Sequence, residues 1–344
     1  MICCTVWGLP ADLHHAKHKI GSAVEMRPEI AELQAEPGRQ FCAQQGLTAA
    51  LAAWQAQPRV AGVLDCFSRY AKGAALSEAC ELAALFGDDT DLARSLAAPL
   101  VAAFAKVLIA EPLGIVPLRH FTDGVMSSLV LAREGEALLT LVAIDGPGLA
   151  CRPAPLSVSF APAEEWEVVI AGCGHGRLIE RNGERIIAHR LEFAPGLALG
   201  REAGREALLF DQVDGALLML RLQRRHDLMQ PKRAYALEGG ALLHQASATP
   251  RESRHEVAVA LLGKMGRIDA APLLAEIARD ETHGASLRWQ ALRECLGLDT
   301  KSGFWTLTAI ARAGADPLAV PAGALRAQLL EAYPQLAEVE LCHA

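Results

Sequence analysis

Residues 196–215 read Gly-Leu-Ala-Leu-Gly-Arg-Glu-Ala-Gly-Arg-Glu-Ala-Leu-Leu-Phe-Asp-Gln-Val-Asp-Gly. Two glycines, Gly196 and Gly215, frame the run. Five residues separate Gly196 from Glu202, Gly204 follows two positions on, and six residues separate Leu208 from Gly215. The apolar stretches Ala207-Leu-Leu-Phe and Ala216-Leu-Leu-Met-Leu-Arg-Leu flank Asp214-Gly215 and read as a strand pair. Working outward, residues 125–131 and 137–144 are strand-like, with Arg133-Glu134-Gly135-Glu136 as the turn between them. Residues 177–181 and 184–189 form a hairpin pattern around Asn182-Gly183, where a two-residue type I′ turn needs two positive φ angles. So many short strands at close spacing predict an antiparallel sandwich or jelly roll.

The framing glycines resemble the first signature motif of the cupin family: a glycine, five residues, His-x-His, three or four residues, a glutamate, six residues and a glycine. The resemblance implies a cupin-like β-barrel over residues 119–248, and it removes the usual metal chemistry. Its three ligand positions are held by Glu202, Gly204 and Leu208, and neither glycine nor leucine offers a donor atom. The second cupin motif, Pro-x-Gly-x-x-His followed by an asparagine, is poorly met. Gly240 and His244 are one residue too far apart, and Ala248 stands where the asparagine would be. The expectation is no resident metal. The alternative is an iron or zinc cupin-type oxygenase or isomerase with an atypical ligand set drawn from His120, His175, His189, Glu202 and His244.

Either side of the β-region the period is helical. Residues 1–115 are expected to form a helical domain, with Leu92, Leu96, Leu100, Phe104, Val107 and Leu108 at helical spacing after Asp88-Asp89-Thr90. Pro99 is expected to kink or divide that helix. A second helix over 77–86 is expected to end in a left-handed cap at Gly87. Pro112 and Pro117 bracket a linker to a β-domain over 116–248. Over 249–344, Ser253, Ala258, Val259, Leu274, Ile277, Ala278 and Arg279 recur 33 residues later as Ser286, Ala291, Leu292, Leu307, Ile310, Ala311 and Arg312. Paired amphipathic helices at that interval must stack to bury their faces, and they resemble short bacterial HEAT repeats. The fold class is therefore α+β multidomain: helical domain, cupin-like antiparallel β-domain, HEAT-like helical array.

Composition narrows the function. The chain has 344 residues, 51% hydrophobic, with net charge −7 and only 5% aromatic residues. It lacks the basic face and the stacking platform of a nucleic-acid binder. Nine dispersed cysteines without C-x-x-C spacing suit reduced thiols in the cytoplasm. The start carries no secretory signal pattern. The apolar run 96–110, broken by Pro99 and Lys106, reads as too short to cross a bilayer.

Five further groups carry candidate chemistry. His14, His15 and His18, with Cys3, Cys4, Cys342 or His343, offer metal-ligand types at the termini, though a solvated segment accounts for them. His120 and Asp123 have one residue too many between them for a facial triad. Gly172-Cys-Gly-His-Gly176 precedes a hairpin and not a helix, so it reads as a bulge and not a phosphate loop; Cys173 and His175 lack a third partner for nucleophilic catalysis. Arg201, Arg205, Arg221 and Arg225, with Arg224 beside them, concentrate positive charge, either as an anion pocket with Glu202 and His244 or paired with nearby acids. Arg288, Trp289, Phe304 and Trp305 mark the helical repeats as core packing or a protein-partner anchor. No residue is assigned a catalytic role. The function expected is a non-catalytic cytoplasmic accessory or regulatory protein that binds a partner through its repeats, with a metal-free barrel able to sense a small anionic ligand.

Overall fold

The computed structural model describes residues 38–341 except 88, 184, 228, 229 and 248. The terminal histidines and cysteines singled out above lie outside that set. Contacts divide the described residues into two compact units, 38–52 with 102–117 and 53–101 with 118–341. Residues 53–101 thus fall in the same unit as the β-sheet.

Helix α1 covers Gly38–Gln55, α2 Pro58–Ala71, α3 Cys80–Ala83 and α4 Thr90–Ala110. In the smaller unit, Gly46 packs against Val107, and Gly114 sits against Leu47, Leu108 and Ala43. Three expectations change here. Helix α4 continues through Pro99 as a single element, so Pro99 does not divide it. The segment 76–86 is a 3₁₀ turn, the short α3 and a second 3₁₀ turn, ending at Gly87 in an extended conformation with φ −93°. Residues 91–110 of α4 reach a mean hydropathy of 1.7 over an eighteen-residue window, long and apolar enough by length and composition to cross a membrane. The shorter run counted above starts only at Leu96, after Arg94 and Ser95.

The β-region is mixed α+β with antiparallel sheets. Its strands are β1 His120–Thr122, β2 Met126–Glu134, β3 Ala137–Asp145, β4 Ser157–Phe160, β5 Ala163–Asn182, β6 Arg185–Phe193, β7 Ala198–Glu202, β8 Glu206–Arg225, β9 Lys232–Ala236 and β10 Leu242–Ala246, with a short helix α5 Gly146–Ala150 after β3. One sheet runs β1-β2-β3-β8-β5-β6 with β7 also on β5, and a smaller one runs β10-β9-β4. Two twenty-residue strands, β5 and β8, pair from Ala163↔Arg225 to Glu180↔Glu206 and form the spine. Residues 207–210 and 216–222 thus lie in one strand, and Asp214-Gly215 is not a turn between two. The ladder shifts register between Ala171 and Cys173, where Gly172 (φ 86°) faces the stretch holding Gly215 (φ 72°). Positive φ on both strands bends the ribbon without ending it. The glycine run 172–176 is likewise internal to β5, in keeping with a bulge. At the β5–β6 hairpin, Asn182 pairs with Arg185 and Gly183 carries a positive φ, 63°. The ladder extends one residue past the expected I′ turn because glycine adopts that region at no steric cost.

The inner face of the spine carries Val169, Met219 and Leu217 in a cluster with Val142, Ile144 and Phe193. A second cluster, Val158, Phe160, Ile179 and Ala207, joins the small sheet to the far half of the ribbon. The outer face carries Leu139, Leu141, Val168, Leu220 and Leu222, also buried, and α2 and the turn 84–86 pack on this side of the chain.

Helices α6 Pro250–Lys264, α7 Ala271–Arg279, α8 Ala285–Leu298, α9 Thr300–Arg312, α10 Ala319–Ala332 and α11 Ala337–Leu341 complete the chain. One buried cluster joins them, including the offset pairs Val259/Leu292 and Leu274/Leu307.

The bend in the ribbon makes a graded prediction. A Cβ on Gly172 would lie 2.1 Å from the Ala216 carbonyl oxygen, whereas one on Gly215 meets open space. Gly215→Ala should cost about 1–2 kcal/mol, from its torsion alone, and Gly172→Ala about 2–5 kcal/mol. Urea midpoints read the difference; equal costs would contradict the bend.

Candidate functional site

At residues 163–170 the sequence Ala-Glu-Glu-Trp-Glu-Val-Val-Ile alternates, so Glu165 and Glu167 share the inner face while Glu164 and Trp166 take the outer. The register sets Arg201 of β7 opposite Glu165 and Arg221 of β8 opposite Glu167. Glu167 is fully buried. It accepts from Arg201 Nε at 2.9 Å and from Arg221 Nε at 2.6 Å. Glu165 also accepts from Arg201 Nη2. Two carboxylates and two guanidiniums therefore neutralise one another on the inner face.

The two acids differ in their balance. At Glu165 burial is the largest influence and lifts the carboxyl above its usual value, against Arg201 and Arg221 and with Glu167 adding to the rise. At Glu167 burial also raises, but Arg221 and Arg201 outweigh it and hold the carboxyl low.

The expected site residues do not converge. Glu202 faces Glu164 across the ladder, half-exposed and 3.7 Å from His226. Leu208 packs on the inner apolar cluster, and Gly204 lies in the turn between β7 and β8. His120, His175, His189 and His244 are all exposed. His189 sits 3.6 Å from Glu180 and His120 beside the Leu118 carbonyl. Among the described residues no group of three His, Cys, Asp or Glu side chains is placed to hold a metal ion. The donors among the described residues thus do not fit a cupin-type metal centre. Asp123 is a turn residue: it accepts from the Val125 and Met126 amides at 3.0 and 2.8 Å and pairs with Arg152. Cys173 is exposed and sits on the same strand as His175.

The arginines divide the same way. Arg201 and Arg221 belong to the inner quartet. Arg224 pairs with Glu164 on the outer face at 2.5 Å, and Arg225 lies 3.9 Å from Glu136. Arg205 is exposed in the β7–β8 turn, where its carbonyl accepts from the Arg181 amide. Their partners were legible only in part: a strand stretch with acids two apart in an apolar context needs inner-face cations, which points to Glu165 and Glu167.

In the helical array, Arg288 is buried and joined to Asp316, donating through Nη1 at 3.1 Å and to the Ala278 carbonyl through Nε at 3.0 Å. Phe304 is fully buried. These two of the four expected anchors are core. Trp305 is partly exposed, with the Arg279 guanidinium 4.9 Å from its ring, beside a cleft of about 370 Å³ between α7 and α9. Trp289 lines an open groove of about 710 Å³ with Leu296, Leu325, Leu329, Tyr333 and Leu336, and Arg293 adds a cation.

Comparison with protein-family models gives no match, and none is found among curated proteins. Solved structures with local similarity include cupin-superfamily proteins. A sugar phosphate isomerase of Silicibacter pomeroyi is 18% identical over 34% of this chain and 67% of its own, at TM-score 0.22. The capsular polysaccharide assembling protein CapF of Staphylococcus aureus is 12% identical over 32% of this chain, which spans only 31% of CapF, at TM-score 0.24. The nucleoside dehydratase Pac13 is 10% identical over 39% of this chain and 90% of its own, at TM-score 0.24. So low a TM-score identifies neither family nor activity.

The quartet predicts an asymmetry. Glu167→Gln leaves two buried guanidiniums without their shared acid and should cost about 3–5 kcal/mol, while Glu165→Gln costs less. Because the folded Glu165 holds its proton above the unfolded value, wild-type stability falls, relative to Glu165→Gln, as pH rises through the window above the ordinary glutamate pKa. Urea titrations of both variants across pH 4–8 read this; equal costs or a reversed slope would refute the assignment.

Proposed function

We propose that the chain is a non-catalytic accessory protein of the cytoplasm that binds a protein partner through its C-terminal helices, which act as a short HEAT-like array. The observation that carries this reading is the groove at Trp289, Leu325 and Leu329, apolar along its walls with Arg293 beside them. Its chemistry suits an amphipathic helix that inserts apolar residues at i, i+3 or i+4, and i+7 and sets a carboxylate against Arg293. Soluble proteins seldom leave concave apolar surface open without an occupant.

The β-region serves in this reading as cupin-like architecture. Its inner face is occupied by charges that satisfy each other and by an apolar cluster, which speaks against the anion pocket expected there. A metal-dependent oxygenase or isomerase would need three donors at one point, and His120, His175, His189 and His244 are exposed and sit on four different strands.

The test uses the full chain, affinity-tagged in its native cells, with quantitative identification of what it retains. A protein held by the wild type should lose at least about tenfold in retention on Leu329→Glu. Val320→Glu, on the same helix at an exposed position away from the groove, should change nothing. Retention unaffected by Leu329→Glu would contradict the proposal, provided both variants melt with the wild type.

A further inference from the structure

Helix α6 carries apolar side chains on two opposite faces. On one, Val259 is buried in the cluster shared with the following helices, and Gly263 takes the Glu294 side chain of α8: a Cβ there would lie 1.8 Å from Glu294 Oε2. On the other, Val257, Leu261 and Met265 recur at four-residue spacing, each more than half exposed. A helix apolar on both faces belongs between two layers. Among the described helices, α8 packs along α6 and supplies one of them.

The 33-residue interval indicates what the second layer is. It sets Val257 where α8 has Gln290, Ala258 where α8 has Ala291, and Leu261 where α8 has Glu294. On α8 this is the side turned to α6: Ala291 is fully buried in the common cluster, and Glu294 lies over Gly263. The matching side of α6 is therefore placed to take a helix laid along it as α6 is laid along α8. An end repeat that stands alone carries a polar outer face. Helix α6 carries valine, leucine and methionine there.

Charge selects the occupant. Arg251, Arg254 and Lys264 stand exposed beside the apolar stripe, two towards its N-terminal end and one towards its C-terminal end. The acids of α6 are turned elsewhere: Glu252 accepts from the Gly284 amide at 2.6 Å, and Glu256 accepts from Ser247 Oγ. A second copy laid antiparallel would set Arg251 and Arg254 against Lys264, and one laid parallel would set each cation against itself. We propose that this face docks an acidic amphipathic helix of a partner protein. Its apolar residues at i, i+3 or i+4, and i+7 lie against Val257, Leu261 and Met265, and its carboxylates meet the flanking cations. The face is separate from the groove at Trp289, whose lining comes from α8, α10 and the residues after α10.

The probe is a synthetic helical peptide of about 18 residues, with leucine along one face and glutamate on its flanks. The same peptide with lysine in place of glutamate is the comparator. Both are titrated into the full chain carrying Leu329→Glu, so that the groove does not contribute. The glutamate peptide should bind at roughly 10–100 μM, and at least about tenfold more tightly than the lysine peptide. Adding Leu261→Glu, at an exposed position, should weaken that binding at least about tenfold. Arg251→Glu with Lys264→Glu should reverse the preference between the peptides. No saturable binding, equal binding of both peptides, or binding indifferent to Leu261→Glu would overturn the proposal. Self-association of the chain that Leu261→Glu abolishes would overturn it in favour of a second copy, and binding to phosphatidylserine vesicles lost in the same way would overturn it in favour of a lipid surface. Peptide binding seen only with Leu329 in place would overturn this face and leave the groove standing.

Discussion

The inner face depends on Glu167, a carboxylate wholly enclosed between two guanidiniums. Desolvating one charge is costly, and only well-placed opposite charges offset it. Arg201 reaches it from β7 and Arg221 from β8, so one acid ties together three strands. A register slip of one residue would turn both arginines to the outer face and leave Glu167 alone. The quartet therefore contributes more to the uniqueness of the pairing than to net stability. It also fills this part of the inner surface with charged groups that already have partners.

Much of the β-region was readable because period-2 alternation and turn residues report local structure. The β2–β3 hairpin lies where the alternation and the turn 133–136 put it. The errors share a cause. Asp214-Gly215 and Pro99 are strong local punctuation, yet neither ends its element, and at Asn182-Gly183 the turn falls one residue later than expected. At Gly215 the partner strand bends in step through Gly172, so the ladder continues. At Pro99 the helix carries on over the break in its hydrogen bonding. Single-residue signals state what a backbone position allows, and the surrounding elements decide whether it is used.

Side-chain partnerships were harder to read than elements. Arg201 and Arg221 stood out as a charged cluster, but their acids lie 34 and 54 residues away in sequence. Only the strand register brings them together. Arg288 illustrates the same limit: an arginine beside a tryptophan suggests an interface, yet Asp316 and the Ala278 carbonyl hold it in the core. Trp289, one position on, is left at the groove. Trp166 escaped notice because its ring packs on Gly200 across the ladder, a contact with no local signature.

The two faces of the sheet thus differ in kind. The inner face satisfies its own charges, and the outer face keeps the Trp166 indole N–H buried without a hydrogen-bond partner. The most direct measurement of the first half of that statement is the metal content of the full chain, purified without chelators and then equilibrated with iron(II) or zinc. With the quartet in place, binding stays far below one ion per chain and Glu202 and His244 can be replaced without effect on it. Stoichiometric metal, lost on replacing Glu165 or Glu167, would show that the inner face is a coordination site and contradict this account.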